Sequence, residues 1–176
     1  LSNPTSKTYY DIFNWKNRNR PNYVKAEVRE IHHNSPGGST SPWQVSYEYF
    51  DGLGRTIMQK VQAEDGLAPL RDANGEIELL SNGKPKMANS TNRWVGNGRT
   101  IFNNKGKPVK QYDPYFSSSF EYEDESELVE TGSSPIIHYD PLGRAIRTDL
   151  PDGTFTMDQF TPWEHISYDA CDTVKD

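Results

Sequence analysis

Tyr139-Asp140-Pro141-Leu142-Gly143-Arg144-Ala145-Ile146 reads as aromatic, acidic, two variable residues, glycine, basic, any residue, branched aliphatic. The same order stands at Phe50-Asp51-Gly52-Leu53-Gly54-Arg55-Thr56-Ile57 and at Phe102-Asn103-Asn104-Lys105-Gly106-Lys107-Pro108-Val109. Each position has a physical role in a tight turn. The Asp or Asn side chain accepts hydrogen bonds from backbone amides that have lost their ladder partners. Glycine supplies a positive φ that costs other residues about 1–2 kcal/mol. The aromatic and the Arg or Lys are expected to face each other as the first cross-strand pair. Phe50, Asp51, Gly54, Arg55, Phe102, Asn103, Gly106, Lys107, Tyr139, Asp140, Gly143 and Arg144 are therefore the candidate structural turn residues. Asp152 and Gly153, in Leu150-Pro151-Asp152-Gly153-Thr154, add a second kind of turn. Trp94-Val95-Gly96-Asn97-Gly98-Arg99-Thr100-Ile101 fits the pattern in part, with Gly in the acidic position. The three full copies have no fixed period, so the reading is one hairpin tip repeated on strands of variable length.

Period-2 alternation surrounds these turns. Tyr23 to His32 sets Val24, Ala26 and Val28 opposite Lys25, Glu27 and Arg29. Trp43 to Phe50 aligns Trp43, Val45, Tyr47 and Tyr49, and Arg55 to Ala63 aligns Ile57, Val61 and Ala63. Further strands are expected at 93–102, 107–112, 136–139, 144–148, 154–160 and 164–168. Residues 64–92 read as an irregular insertion with at most one small hairpin. The acidic run Glu121 to Glu127 reads as a solvated loop or short edge strand. The fold class is all-β, built of antiparallel β-hairpins, with 1–21 as an N-terminal lead-in and 22–176 as the β segment.

Composition supports this class and removes others. Leu, Ile, Val and Phe make up 33 of 176 residues, a thin aliphatic supply, yet 12% aromatic residues and a net charge of −6 argue for a folded chain. Gly, Pro, Asn, Asp and Ser account for 66 residues, which excludes a helix bundle. No basic cluster invites nucleic acid, and no apolar run approaches a membrane span or a signal peptide. A single cysteine, Cys171, excludes an intrachain disulfide.

Tyr139-Asp140-Pro141-Leu142-Gly143-Arg144 followed by Leu150-Pro151-Asp152-Gly153-Thr154 resembles one whole unit of the RHS/YD-repeat proteins. The run Arg93-Trp94-Val95-Gly96-Asn97-Gly98-Arg99-Thr100-Ile101-Phe102-Asn103-Asn104-Lys105-Gly106-Lys107-Pro108-Val109-Lys110-Gln111-Tyr112-Asp113-Pro114-Tyr115-Phe116 is a narrower match. It resembles the C-terminal region of the B component of bacterial insecticidal Tc toxin complexes and of Salmonella virulence-plasmid-type proteins. Ser46 to Arg55 and Pro162-Trp163 through Val174 are similar to the same region in the same order, and residues 64–92 depart from it. The resemblance implies a curved YD-repeat sheet strip, part of a hollow shell that encloses a toxic C-terminal polypeptide. It implies a structural scaffold in a secreted or cell-surface toxin complex, with no catalytic residues and no cofactor. The implied partners are other YD-repeat segments of the same or a partner subunit and the enclosed toxin polypeptide.

Two other functions have candidate residues in the sequence. A carbohydrate-binding β module would use exposed aromatics, with Trp94 and Trp163 as the candidates for stacking on a sugar ring. An ADP-ribosyltransferase would use Ser39-Thr40-Ser41 on a strand and a Glu-x-Glu such as Glu76-Ile77-Glu78 or Glu121-Tyr122-Glu123, but the Gly-Gly and Pro42 around the serines point to a loop. His32 and His33 alternate faces, His138 and His165 stand apart, and Asp72-Ala73-Asn74-Gly75-Glu76 lacks the later ligands of a calcium loop. No metal site is expected. Asp149 with Asp152 could serve a glycosidase only across a cleft.

Overall fold

A computed structural model describes residues 3–173, so the ends of the lead-in and of the β segment, residues 1–2 and 174–176, lie outside the described residues. Antiparallel strands dominate. The chain divides into two compact units, one holding residues up to Asn97 together with Pro114–Val129, the other Gly98–Asp113 together with residues from Glu130 onward.

In the first unit, β1 (Ser6–Asp11), β2 (Asn22–Arg29), β3 (Trp43–Phe50), β4 (Thr56–Ala63), β7 (Arg93–Gly96) and β10 (Tyr115–Ser117) form a six-stranded sheet in the order β1-β2-β3-β4-β7-β10. The expected lead-in over 1–21 is thus corrected: it supplies edge strand β1 and a short helix, α1 (Asn14–Arg18). The sheet's register sorts its side chains into two faces. One row runs Tyr9, Lys25, Tyr47, Lys60, Gly96, Tyr115, and the adjacent row on the other face runs Thr8, Ala26, Ser46, Val61, Val95, Phe116. The core lies on the first face, where Tyr47, Tyr49, Met58, Trp94 and Tyr115 are buried with Leu128 and Val129. This corrects the facing expected for β2 and β4: Val28 and Val61 are exposed, whereas Met58 and Lys60 point inward. The core is aromatic, and rings stack where aliphatics would otherwise serve, as between Tyr47 and Phe120 at 4.7 Å. Gly96 makes room for this packing, since a Cβ there would lie 2.6 Å from the Tyr115 ring.

Residues 118–129 close over that face, ending in α2 (Ser126–Val129). The acidic run expected in solvent departs from that expectation at one residue: Glu123 is buried, while Glu121, Asp124, Ser126 and Glu127 are exposed; on either side of the run Leu128 and Val129 are buried, and the Tyr49 hydroxyl donates to the Phe120 carbonyl at 2.5 Å. The 64–92 insertion is also more ordered than expected. β5 (Gly66–Pro69) pairs with β6 (Met87–Ser90), and between them the chain makes a three-way backbone closure. Leu70 N–H donates to Lys86 C=O, Lys86 N–H to Glu78 C=O, and Glu78 N–H to Leu70 C=O. The three residues are eight apart in sequence, with one tight turn in each of the two intervals.

The expected strand 93–102 is two strands. Asn97 prolongs the ladder of β7 by giving its N–H to the Gln59 carbonyl and accepting the Gln59 N–H on its side chain. From Gly98 the chain belongs to the second unit, where β8 (Thr100–Phe102) pairs with β9 (Pro108–Gln111). That unit's main sheet has the order β11 (Ile136–Tyr139), β12 (Ala145–Asp149), β13 (Phe155–Phe160), β14 (His165–Tyr168), close to the expected bounds. Among its described residues Gly98 alone is buried.

Candidate functional site

The repeated turns share one geometry. In the Asp51 turn, Asp51 N–H donates to Arg55 C=O (3.0 Å) and Gly54 N–H to Asp51 C=O (3.1 Å), while Gly54 has φ +75°. This is a three-residue hairpin loop with a glycine bulge. The Asp51 carboxylate accepts the N–H groups of Leu53 and Arg55 at 2.8 and 2.9 Å. Asn103 and Asp140 repeat the pattern: Asn103 accepts from Lys105 and Lys107, Asp140 from Arg144, and Gly106 and Gly143 carry the positive φ. Asp72 makes a further copy with Asn74, Gly75 and Glu76, which places the calcium-like motif in a hairpin tip. Leu80–Lys84 and Leu150–Thr154 have the same backbone with leucine first and the Asx two positions later, where Asn82 and Asp152 cap Lys84 and Thr154. Six tips therefore use two side-chain solutions to one loop.

The expected aromatic–basic cross-strand pair is corrected. A register shift places Phe50 opposite Thr56, Phe102 opposite Pro108 and Tyr139 opposite Ala145. The displaced arginine turns back on the carboxylate, with Arg55 Nε 2.7 Å from Asp51 and Arg144 Nε 2.7 Å from Asp140. These bonds hold both carboxyls below the ordinary Asp range; at Asp51 they outweigh the burial that would raise it, and at Asp140 the Arg144 backbone N–H leads. Tips also meet within the second unit: Lys105 donates to the Pro141 carbonyl, and the Tyr139 hydroxyl to the Pro108 carbonyl at 2.8 Å.

Beneath the first unit's sheet lies a group of buried charges that sequence reasoning missed. Lys60 is 0% exposed, and its ammonium lies 2.5 Å from Glu123 while also donating to Ser119 C=O and Ser117 Oγ. Arg71 reaches Glu123 at 2.6 Å and Glu125 at 2.8 Å. Burial pushes the Lys60 ammonium down despite Glu123, whereas Arg71 holds Glu125 low against its own burial. Only the inward parity of Lys60 beside Met58 in β4 could have signalled it. The group joins β4, the insertion and the acidic run through three ion pairs, Lys60–Glu123, Arg71–Glu123 and Arg71–Glu125, and leaves one buried oxygen of Glu125 without a hydrogen bond.

Other chemistry-bearing residues are arranged structurally. Trp94 is 5% exposed, packed edge-on against Tyr47, with its indole N–H on Asn92, which removes it as a sugar platform because its ring faces are covered. Trp163 is 92% exposed. In the second unit Arg144 lies 4.3 Å above the Phe160 ring, which stacks on His165 at 4.5 Å, and Arg147 lies 3.9 Å above Phe155. Asp158 receives Ser167 and His165, and Asp149 receives Arg147 and His138; these hydrogen bonds hold both carboxyls low. Ser167, His165 and Asp158 do not form a catalytic triad, because serine and aspartate meet the same ring nitrogen, Nε2. Asp152 caps its own turn, and Asp149 is occupied by Arg147 and His138. Gly38–Thr40 forms a single 3-10 turn, with Ser41 donated to the loop backbone, so these residues are not on a strand. An open concavity of about 890 Å³ in the first unit is lined by Trp15, Phe50, Ile57, Tyr122, Arg20 and Asp124 among others. Among the described residues no three His, Cys, Asp or Glu side chains converge as metal ligands, and no helix is long and apolar enough to cross a membrane.

No family model and no curated protein sequence matches the chain. Solved structures do. TcdB2-TccC3 aligns over 98% of this chain at 26% identity and TM-score 0.75, and TcdB2-TccC3 without its hypervariable C-terminal region aligns over 88% at 26% and 0.69. The Photorhabdus luminescens Tc holotoxin pore aligns over 88% at 27% and 0.69. The chain spans only 7–8% of the length of these proteins. An all-β, antiparallel segment of this sequence and fold resembles part of the TcdB2-TccC3 chain of Tc toxin complexes, as the 93–116 block implied.

Proposed function

We propose that the chain is a wall segment of an RHS/YD-repeat shell in a Tc-type toxin complex, a scaffold with no reaction of its own. The likeness to TcdB2-TccC3 over nearly the whole chain carries this reading. It persists in the form lacking the hypervariable C-terminal region, so the matched part lies outside that region. The site chemistry points the same way: carboxylates, cations and rings are spent on one another, in hairpin tips, in the buried ion group and in surface stacks. The segment belongs to a longer polypeptide, with neighbouring YD-repeat segments and the enclosed toxin polypeptide as partners, in a secreted complex. An ADP-ribosyltransferase is disfavoured by the placement of Glu123 against Lys60 and of Glu78 in the backbone closure.

The test is a chimera in which this chain replaces the aligned stretch of TcdB2-TccC3. The expected result is an assembled shell whose cargo resists protease as in the parent. A folded, soluble chimera with fully accessible cargo would overturn the reading. Trp163 favours one second reading, a carbohydrate-binding module. Saturable binding on a glycan array, lost in Trp163→Ala, would support that module, and a blank array would remove it.

A further inference from the structure

We infer that the concavity beside the Asp51 tip is a socket for the leucine of another hairpin tip, carried by a neighbouring YD-repeat segment of the same polypeptide. The inference rests on the wall reading and names a contact by which adjoining segments lock. It starts from the third position of the tip loop. Asp51, Asn103, Asp140 and Asp72 open four loops of one backbone, whose third residues are Leu53, Lys105, Leu142 and Asn74. The turn therefore does not select leucine, since lysine or asparagine serves there as well. Leu53 is nevertheless 78% and Leu142 80% exposed, one in each unit. This apolar area leaves water only when a partner covers it. Lys105 shows the use of the position: within the second unit it donates to the Pro141 carbonyl, so the third residue of one tip reaches another tip.

The socket has matching features, all within the first unit. Trp15 of α1, Phe50 and Ile57 on the two sides of the Asp51 tip, and Tyr122 line about 890 Å³, in the range of clefts that hold a ligand-sized group. Asp51 and Gly52 border it and Leu53 does not, so the adjoining tip does not fill it with its own leucine. The Trp15 backbone is fixed on both sides, its N–H on Asn22 Oδ1 at 3.1 Å and its C=O accepting from Asn19 N–H at 2.9 Å, while its ring is 61% exposed. An apolar wall held in place before its partner arrives loses little freedom on binding.

Charge selects the occupant. Arg20 lines the same space and gives one N–H to the Tyr122 carbonyl at 3.1 Å, and a guanidinium has further donors. It stands to an incoming tip as Lys105 stands to Pro141, a cation for an outward carbonyl. Asp140 and Arg144 neutralise each other at 2.7 Å, so a leucine tip enters without net charge, whereas a lysine tip such as that of Lys105 would meet Arg20. The chain spans 8% of the TcdB2-TccC3 chain it aligns with, and on the wall reading the rest of such a polypeptide supplies the tips.

The test uses the full chain, isotope-labelled for NMR, and as probe a backbone-cyclised peptide of residues 136–149, the β11–β12 hairpin with its Leu142 tip. Saturable, sub-millimolar binding is expected, with the Trp15 indole and Ile57 methyl signals moving most. Leu142→Asn in the peptide gives a tip like that of Asn74 and should weaken binding about tenfold or more, and Leu142→Lys should weaken it further. Trp15→Ala in the chain, with unchanged circular dichroism, should have the same effect as Leu142→Asn. No saturation, indifference to Leu142→Asn, or shifts away from the concavity would each overturn the inference. The chimera reads the wall separately: protected cargo without tip binding overturns the socket alone, and tip binding beside accessible cargo overturns the wall together with the neighbour named here.

Discussion

The two units use the same hairpin tips and hold themselves together in opposite ways. The first buries an aromatic core and a group of charges under its sheet; the second buries no side chain among its described residues and ties its strands with surface stacks such as Arg144–Phe160–His165. The comparison separates what a tip can do from what a core must do. A tip sets register and direction, using only residues of its own loop. Resistance to opening comes from area removed from water, of which the second unit has less: Ile137, Ile146, Phe155, Met157 and Phe160 are only half-buried.

The largest effect should come from Glu123→Ala, which strands Lys60 as an uncompensated buried charge and should destabilise the first unit by about 3–5 kcal/mol. Lys60→Met combined with Glu123→Gln should recover part of this loss in urea denaturation; additive damage would show that the pair is not coupled. Next, Leu128→Ala should cost about 2–5 kcal/mol, whereas Phe160→Ala in the second unit should cost about 0.5–1.5 kcal/mol. Equal losses would erase the contrast between a core-held and a stack-held unit.

Effects smaller than that of Leu128→Ala, and equal to each other, are expected from Gly54→Ala and Gly143→Ala, one tip in each unit. Both glycines have positive φ, and an added Cβ meets nothing within 4 Å at Gly54 and only the Lys107 chain at 3.5 Å at Gly143. Backbone strain alone should cost about 1–2 kcal/mol in either case. Wild-type-like stability in both would remove the turn argument.

The finest distinction is in acid. Asp140, Asp149, Asp152 and Asp158 are all held below their ordinary value by hydrogen bonds. Their folded pKa values are depressed, so their contribution is complete above the unfolded Asp value near 3.9 and is lost as pH falls through the folded values. Amide protection factors in the second unit, in which the intrinsic pH dependence of exchange is divided out, should fall in that window, and Asp149→Asn with Asp158→Asn should flatten the dependence. An unchanged pH profile in the double variant would show that these bonds do not hold the sheet.

Much of the scaffold was legible because its signals are local. Trp43–Phe50 and Ile136–Tyr139 fall on their expected bounds, and the Asx and glycine of the tips have the expected places, whereas the turn of Arg55 and Arg144 back onto the carboxylates was not foreseen. Facing was harder, since the valines of β2 and β4 outweighed their neighbours in hydropathy while the core selected Tyr47, Tyr49, Met58 and Lys60. Nothing local distinguishes Glu123 from Glu121; it is buried because Lys60 and Arg71, 63 and 52 residues away in sequence, converge on it. Trp94, one of two candidates for a sugar platform, is covered by Phe120 from a distant segment, a contact that no local signal announces. The repeated tips are written in local sequence, and the ion group that fastens the insertion to the acidic run is not.

Lys60 has one more consequence, in chemical reactivity. Acylation requires a free, deprotonated amine that a reagent can reach, and the Lys60 amine is enclosed and bound to three oxygen groups. Exposed lysines such as Lys86 should therefore label within the mixing time, while Lys60 labels only as often as residues 118–129 lift from the sheet. Its rate of modification is a clock for that opening, readable by mass spectrometry on a single peptide without any substitution.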